Sequence, residues 1–311
     1  MARIIFLGTP EFAVPILEAL LGQHQVVAVV TQPDRPAGRG RTHVAASPVK
    51  RVAEAHGVPV WQPENLRRDR AVVEAMRRAA PELMVLAAFG QILRPDVLSI
   101  PPHGCIGVHA SLLPRWRGPA PIAAAILHGD AETGISLMLT DAGMDTGPIL
   151  AQERLAIATN ETTVTLTARL AHLGADLLLR TIPPWLAGEI APQPQDETRA
   201  TYAPPLTKED GLLNWREPAL QLDRRIRALT PWPGTYTFHQ DVLLRVLHAR
   251  PIPAWAGTEA PGTVVETEEG IGVVTGSGLL LLEEVQLAGK KALDARAFAR
   301  GQRAFVGSVL G

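Results

Sequence analysis

One histidine, His109, ends an apolar run, CIGVH, and is followed at once by Ala-Ser-Leu-Leu-Pro and a cationic, proline-broken loop, RWRGPAP. Further along, the segment TDAGMDTGP places Asp145 in a glycine-rich turn. Histidine is the side chain whose unperturbed pKa lets it exchange protons near neutrality. A nearby carboxylate can orient it and hold its proton. The chain has nine histidines, and what distinguishes His109 is its place at the end of a strand-like run. Ser111 follows closely, but no G-x-S-x-G elbow surrounds it, which argues against a hydrolytic triad. A His–Asp pair without an activated nucleophile points to acid–base or electrostatic work on substrates brought from outside.

Two other loops invite a chemical reading. Gly8-Thr9-Pro10 follows the first apolar run, where a dinucleotide fingerprint would lie, but G-x-G-x-x-G is absent and Pro10 removes a backbone N–H. Nucleotide binding is therefore disfavoured. The stretch from Thr31 to Lys50 carries Arg35, Arg39, Arg41 and Lys50 against one acid, Asp34, on a proline- and glycine-rich backbone. It reads either as a solvated surface loop or as a basic finger that reaches a phosphate backbone, with Arg39 and Arg41 foremost.

These residues need a scaffold, and the alternation of strand-like and helix-like segments supplies one. Ile4–Leu7 and Leu83–Ala88 read as buried strands, Gln25–Thr31 as a β-branched run, Val58–Trp61 as a short strand, and Phe12–Leu20, Val49–His56 and Arg70–Ala80 as helices. Such alternation predicts a parallel, doubly wound α/β sheet. Ligands in that fold collect beyond the carboxyl ends of the strands, so the segments after Leu7, Thr31, Ala88 and His109 should share one edge. A long helical stretch from Thr163 is expected to break at Pro183-Pro184. The proline-rich polar run that follows reads as a linker. Short strands separated by glycines then predict a small β-barrel. The expected division is 1–189 for the first domain, 190–206 for the linker and 207–311 for the second.

Composition sets outer limits. A chain of 311 residues with 46% hydrophobic and 20% charged residues is globular and long enough for two domains. The net charge of −1 gives no global basic field, so a nucleic-acid site would have to be a local patch. Cys105 is the one cysteine, which excludes an internal disulfide and a cysteine-based zinc site. A reducing, cytoplasmic setting fits this usage, and no metal site is expected. The start, MARIIFLGTPEF, lacks a signal-peptide pattern. Apolar stretches such as LMVLAAFGQIL fall short of the ~20 residues that cross a bilayer, so no membrane partner is expected.

Taken together, FLGTPEFAVPILEAL, VVTQPDRPAGRGR, SPVK, PELMVLAAFGQIL, HASLLPRWRGPAPI and DAGMDTGPIL resemble the methionyl-tRNA formyltransferase family, as do PPLTKEDGLLNW, IRALTPWPGTYT and AGKKAL near the end. The resemblance runs nearly the whole length. RPAGRGR and SLLPRWRG are specific to that family, whereas the histidine, SLLP and aspartate are shared by folate-dependent formyltransferases at large. It implies a Rossmann-like N-terminal catalytic domain and a C-terminal domain resembling an OB-fold barrel. It implies 10-formyltetrahydrofolate as donor, the methionine amino group of initiator methionyl-tRNA as acceptor, and a monomer. His109 and Asp145 match the family's working pair. Ser111, Leu112, Leu113 and Pro114 match its folate turn, and Phe89, Gly90, Gln91 and Ile92 part of its pterin pocket. The loop of Arg35, Arg39, Arg41 and Lys50 resembles the element that enters the tRNA acceptor stem. Lys208, Arg224, Arg225 and Arg227, with Lys290 and Lys291, would hold tRNA phosphates.

One position departs from the family pattern. The residue two before the histidine is an asparagine there, whose carboxamide meets the formyl oxygen; here it is Gly107. Loss of one such donor in another acyl-transfer enzyme costs on the order of 10²–10³ in turnover, and a water or a backbone N–H can recover part of that. The expectation is preserved binding with weakened chemistry. Three competing readings stand beside it: a formyltransferase acting on a small amine, a non-catalytic folate or tRNA-binding homologue, and a nicotinamide-dependent oxidoreductase, the last disfavoured by the missing glycine fingerprint.

Overall fold

A computed structural model describes residues 1–37, 43–302 and 304–311. Its elements run in chain order as β1 (Arg3–Gly8), α1 (Val14–Gln23), β2 (Gln25–Val30), β3 (Arg35–Ala37), β4 (His43–Ala45), α2 (Pro48–Ala55), β5 (Val60–Trp61), α3 (Arg70–Arg78), β6 (Leu83–Ala87), α4 (Pro95–Leu98), β7 (Cys105–His109), α5 (Pro121–His128), β8 (Glu132–Leu139), β9 (Ile149–Ala156) and α6 (Thr163–Leu186). They continue with α7 (Ala219–Leu229), β10 (Thr235–His239), β11 (Val242–Ile252), β12 (Val264–Glu266), β13 (Ile271–Val274), β14 (Leu279–Leu287), β15 (Leu293–Asp294) and α8 (Ala295–Gly301). The chain divides into two compact units: Met1–Pro121, Glu132–Ala156 and Thr167–Pro204 form the first, and Ile122–Ala131, Ile157–Leu166 and Pro205–Gly311 the second.

The first unit is built on a seven-stranded sheet in the order β5-β2-β1-β6-β7-β8-β9. The continuous apolar runs of β1, β2 and β6 are buried because helices cover a parallel sheet on both sides. Pairing is parallel from β5 to β7. Strands β8 and β9, which the sequence pattern did not announce, extend the sheet in the antiparallel sense. The helices start where side chains satisfy free backbone donors: Ser47 Oγ accepts from Lys50 N at 3.1 Å before Pro48, and Asp69 accepts from Val72 N at 3.0 Å.

Two expectations are corrected by backbone hydrogen bonding. Helix α6 continues through Pro183 and Pro184 to Leu186. The prolines fall in its last turns, and their carbonyls accept from Ala187 N at 3.1 Å and Glu189 N at 2.9 Å. The run read as a linker, up to Pro204, belongs to the first unit. Gln193 and Ile149 exchange both backbone bonds at 2.8 Å, Thr201 N reaches Pro114 O at 3.2 Å, and Ala203 N reaches Arg117 O at 2.7 Å. Polarity and proline do mark irregular backbone here, but that backbone finds its partners on the sheet's loops instead of in water.

The second unit holds an antiparallel sheet ordered β10-β11-β14-β13-β12, with β15 paired to β14. Register shifts in β11 between Val246 and Ala249 curl it into a half-barrel. Its core gathers Trp215, Leu222, Ile226, Leu244, Val273, Leu280 and Phe305. Among the described residues, no helix is long and apolar enough to cross a membrane.

Candidate active site

Parallel pairing brings the carboxyl ends of β1, β2, β6 and β7 to one edge, and polar side chains knit that edge together. Thr31 Oγ1 lies 2.8 Å from Ser47 Oγ, Gln32 N donates to Thr9 Oγ1 at 3.3 Å, and Gln32 Nε2 donates to the Phe89 carbonyl at 3.1 Å. His109 closes β7 at this edge and is only 8% exposed.

The ring of His109 has two partners. Nε2 lies 2.8 Å from the Trp116 carbonyl oxygen. A carbonyl only accepts, so Nε2 carries a proton and the tautomer follows from the contact. Nδ1 faces Asp145 Oδ2 at 3.6 Å, beyond hydrogen-bond length but within ion-pair range. In the neutral ring Nδ1 is therefore the lone-pair nitrogen, and it carries a proton only when the ring is cationic. Asp145 is fixed in turn, since its Oδ2 accepts from Gly118 N at 2.7 Å. Both partners have left-handed backbones, with φ of +58° at Trp116 and +56° at Asp145, a geometry that costs about 1–3 kcal/mol per non-glycine residue and survives only where neighbours enforce it.

The Ser111–Pro114 turn is a closed hydrogen-bonded unit. Ser111 Oγ donates to Arg115 O at 2.6 Å, which engages the hydroxyl in holding the turn. Beneath it Ser136, fully buried on β8, donates to Ser111 O at 2.6 Å and accepts from Leu113 N at 2.9 Å and Gln152 Nε2 at 2.7 Å. Gln152 also donates to Leu113 O at 2.9 Å. Leu112 and Pro114 remain half-buried at the surface of the turn.

The Phe89–Ile92 stretch divides by side chain. The Phe89 ring lies in the core at 1% exposure, and the Gln91 amide is taken by Leu66 N at 2.8 Å and Pro63 O at 3.2 Å. Both side chains are thereby engaged within the fold. Gly90, with φ of +81°, and Ile92 are exposed beside them.

At Gly107 the missing side chain has been replaced in space. A Cβ there would stand 2.9 Å from Thr140 Oγ1 and 3.1 Å from Met138 Cε. Met138 is the register partner of Gly107 across β7–β8. On the same strand Cys105 is buried against the Thr140 hydroxyl, and desolvation pushes its thiol up to about 12.

The basic residues differ in exposure and in the partners they meet. Arg35 is exposed and, among the described residues, reaches Gln32 Oε1 at 3.4 Å, whereas Arg39 and Arg41 lie outside the described residues. Lys50 is bound to Asp34 at 2.5 Å, and that contact, with Gln62, holds the Asp34 carboxyl below its usual range. Lys208, Lys290 and Lys291 are exposed. In the second unit Arg225 donates to Asp210 O at 3.0 Å and pairs with Glu217, and Arg227 pairs with Asp223 at 2.8 Å and donates to Glu161 O. Both guanidinium groups are thus engaged with carboxylates of the second unit. Arg224 lies flat on Gly129, its guanidinium carbon 2.2 Å from where a Cβ would stand. It lines a cavity of about 520 Å³ with His248 and Arg250, all within the second unit.

Trp116, Gly118, Ser136, Gln152 and the 195–201 segment hold this site and were not singled out from sequence. A motif search favours residues beside the histidine, and these contributions come from backbone groups or from distant chain. Among the described residues, no cluster of His, Cys, Asp or Glu could hold a metal ion.

Comparison with known proteins gives this geometry a class. Residues 2–182 match the formyl transferase family model and residues 205–303 the formyl transferase C-terminal domain model. At the level of whole chains, the methionyl-tRNA formyltransferase of Roseiflexus sp. (strain RS-1) is 50% identical over 99% of this chain and 95% of its own length. That of Myxococcus xanthus (strain DK1622) is 48% identical over 98% and 97%. This chain belongs to the methionyl-tRNA formyltransferase family. The fold is also that of HypX from Aquifex aeolicus crystallised with tetrahydrofolic acid, at a TM-score of 0.67 and 16% identity, where the match spans 98% of this chain and 48% of the other.

Proposed function

We propose that this enzyme transfers the formyl group of 10-formyltetrahydrofolate to the amino group of methionine on initiator tRNA, and that it works as a cytoplasmic monomer. The observation that carries the mechanism is the asymmetric engagement of His109: Nε2 is tied to the Trp116 carbonyl and Nδ1 is turned toward Asp145. When the deprotonated methionyl amine bonds to the formyl carbon, negative charge develops on the formyl oxygen. When the ring is cationic, the proton on Nδ1 meets that charge, and Asp145 at 3.6 Å orients the ring for it. Breaking the bond to the folate nitrogen then transfers the formyl group, and the proton released by the amine ends on that nitrogen. The Ser111–Pro114 turn, Gly90 and Ile92 supply the folate surface. Arg35, Arg39, Arg41 and Lys50 face the acceptor stem, and Lys208, Arg224, Lys290 and Lys291 supply further positive charge for phosphates.

Gly107 supports a second reading, a homologue that binds without turnover, because no side chain there can donate to the oxygen. Formylation of methionyl-tRNA under single-turnover conditions with excess enzyme decides. Formyl-methionyl-tRNA accumulating at any rate above the uncatalysed one, with small amines unreactive, supports the transferase. Tight binding of folate and tRNA without product supports the binding homologue.

A further inference from the structure

Each of the two partners of His109 is held by the same distant segment of chain. Gln195 places its amide between the two catalytic loops: Nε2 donates to the carbonyl oxygens of Asp145 at 2.8 Å and Gly147 at 2.7 Å, and Oε1 accepts from Arg117 Nε at 3.1 Å and Nη2 at 2.8 Å. The orientation of this amide is unambiguous, because carbonyls only accept and a guanidinium only donates. Both of its protons and its oxygen are therefore engaged. Six residues on, Thr201 Oγ1 accepts from Trp116 N at 2.9 Å, and its backbone bonds to Pro114 O and Arg117 N. Arg117 is buried at 8% exposure and completes the frame with a two-pronged contact to Glu197, at 2.8 and 2.7 Å.

We propose that Gln195 and Thr201 are positioning residues for formyl transfer. Thr201 holds Trp116 in the left-handed conformation that aims its carbonyl at His109 Nε2, and Gln195 holds the left-handed Asp145 that faces Nδ1. Neither touches the reacting atoms. Their effect is to fix the direction in which Nδ1 presents its proton, and a misplacement of about 1 Å in such a group can cost about a hundredfold in rate. The proposal rests on the assignment of His109 and Asp145 to formyl transfer.

The test compares Gln195→Glu, Gln195→Ala and Thr201→Val in the full-length protein. Gln195→Glu keeps the shape and the Arg117 contact while removing both donors. Its kcat should fall by about tenfold or more, with folate KM and dissociation constant changed by about twofold or less. A melting temperature that falls while kcat holds, in Gln195→Glu and Gln195→Ala alike, overturns the proposal. A second readout does not depend on turnover. The His109 Nε2–H resonance, assigned by its loss in His109→Asn, should shift or exchange faster in Thr201→Val, and an unchanged resonance overturns the Trp116 half. If the parent protein does not formylate methionyl-tRNA yet this resonance responds, the transfer assignment fails and the positioning role stands.

Discussion

Gly118 donates its backbone N–H to Asp145 Oδ2 at 2.7 Å, the same oxygen that faces His109. A main-chain donor thus fixes the direction in which this carboxylate points. The contact depends on glycine twice over. Its φ of +107° lies where other residues are strained, and a Cβ would stand 2.5 Å from Tyr202 Cε2 and 2.6 Å from Ala203 O. Gly118→Ala should lower stability by about 2 kcal/mol and cut formylation about tenfold. Urea unfolding and steady-state kinetics on one preparation check both, and a variant that keeps parental kcat rules out this anchor.

Ser136 reports on the folate turn alone. Ser136→Ala leaves Leu113 N and the Gln152 amide without their buried acceptor, at about 1–3 kcal/mol. Because these bonds shape the turn and do not touch His109, the KM for folate should rise several-fold while kcat changes little. A fall in kcat at constant KM would place the turn in the chemistry instead.

Gly107→Asn should raise turnover about tenfold if the carboxamide restores even part of an oxyanion donor. The space is contested by the Thr140 hydroxyl and the Met138 methyl. Both groups sit on rotatable side chains, so the expected cost in stability is about 1 kcal/mol. The paired variant Gly107→Asn with Thr140→Ala should gain at least as much activity as the single one. Rates indistinguishable from the parent in both variants would show that the site does without this donor.

Lys50 and Arg35 should behave differently toward tRNA although both lie in the basic loop. The Lys50 charge is already matched by Asp34 at 2.5 Å. Lys50→Gln should therefore change the slope of log affinity against log salt by well under one, and Arg35→Gln by about one. The same pair has a pH signature. The Asp34 carboxyl is held below its ordinary value, so its stabilising effect is present above about pH 4 and is lost as pH falls through the depressed value. Asp34→Asn should flatten the acid limb of the stability curve, and equal melting temperatures for parent and variant at every pH would remove the pair from the balance.

Cys105 offers a clean probe. With its thiol pushed up to about 12 by burial, it stays protonated at pH 8, where the thiolate is the reactive form. Ellman's reagent should label the native protein at least about a hundredfold more slowly than the urea-unfolded chain. Fast native labelling would mean that β7 opens.

What the sequence made legible was continuous in the chain. The apolar runs of β1, β2, β6 and β7 are periodic signals, and His109 followed by SLLP needs only neighbours to be noticed. Strands β8 and β9 escaped because residues such as Thr133, Ser136, Gln152 and Glu153 dilute the apolar pattern, although Ser136 is itself buried as the hub of a turn. Gln195 and Thr201 escaped for the opposite reason, since proline and polar composition describes how a segment bends and not whom it meets. The Asp34 partner of Lys50 was visible as a residue and invisible as a contact.

The bond from Trp116 N to Thr201 Oγ1 spans 85 residues of chain. During synthesis β7, its histidine and the aspartate loop leave the ribosome well before the segment that sets their angles. A nascent chain can thus acquire the sheet early while its proton donor waits, unaimed, for residues still to be translated.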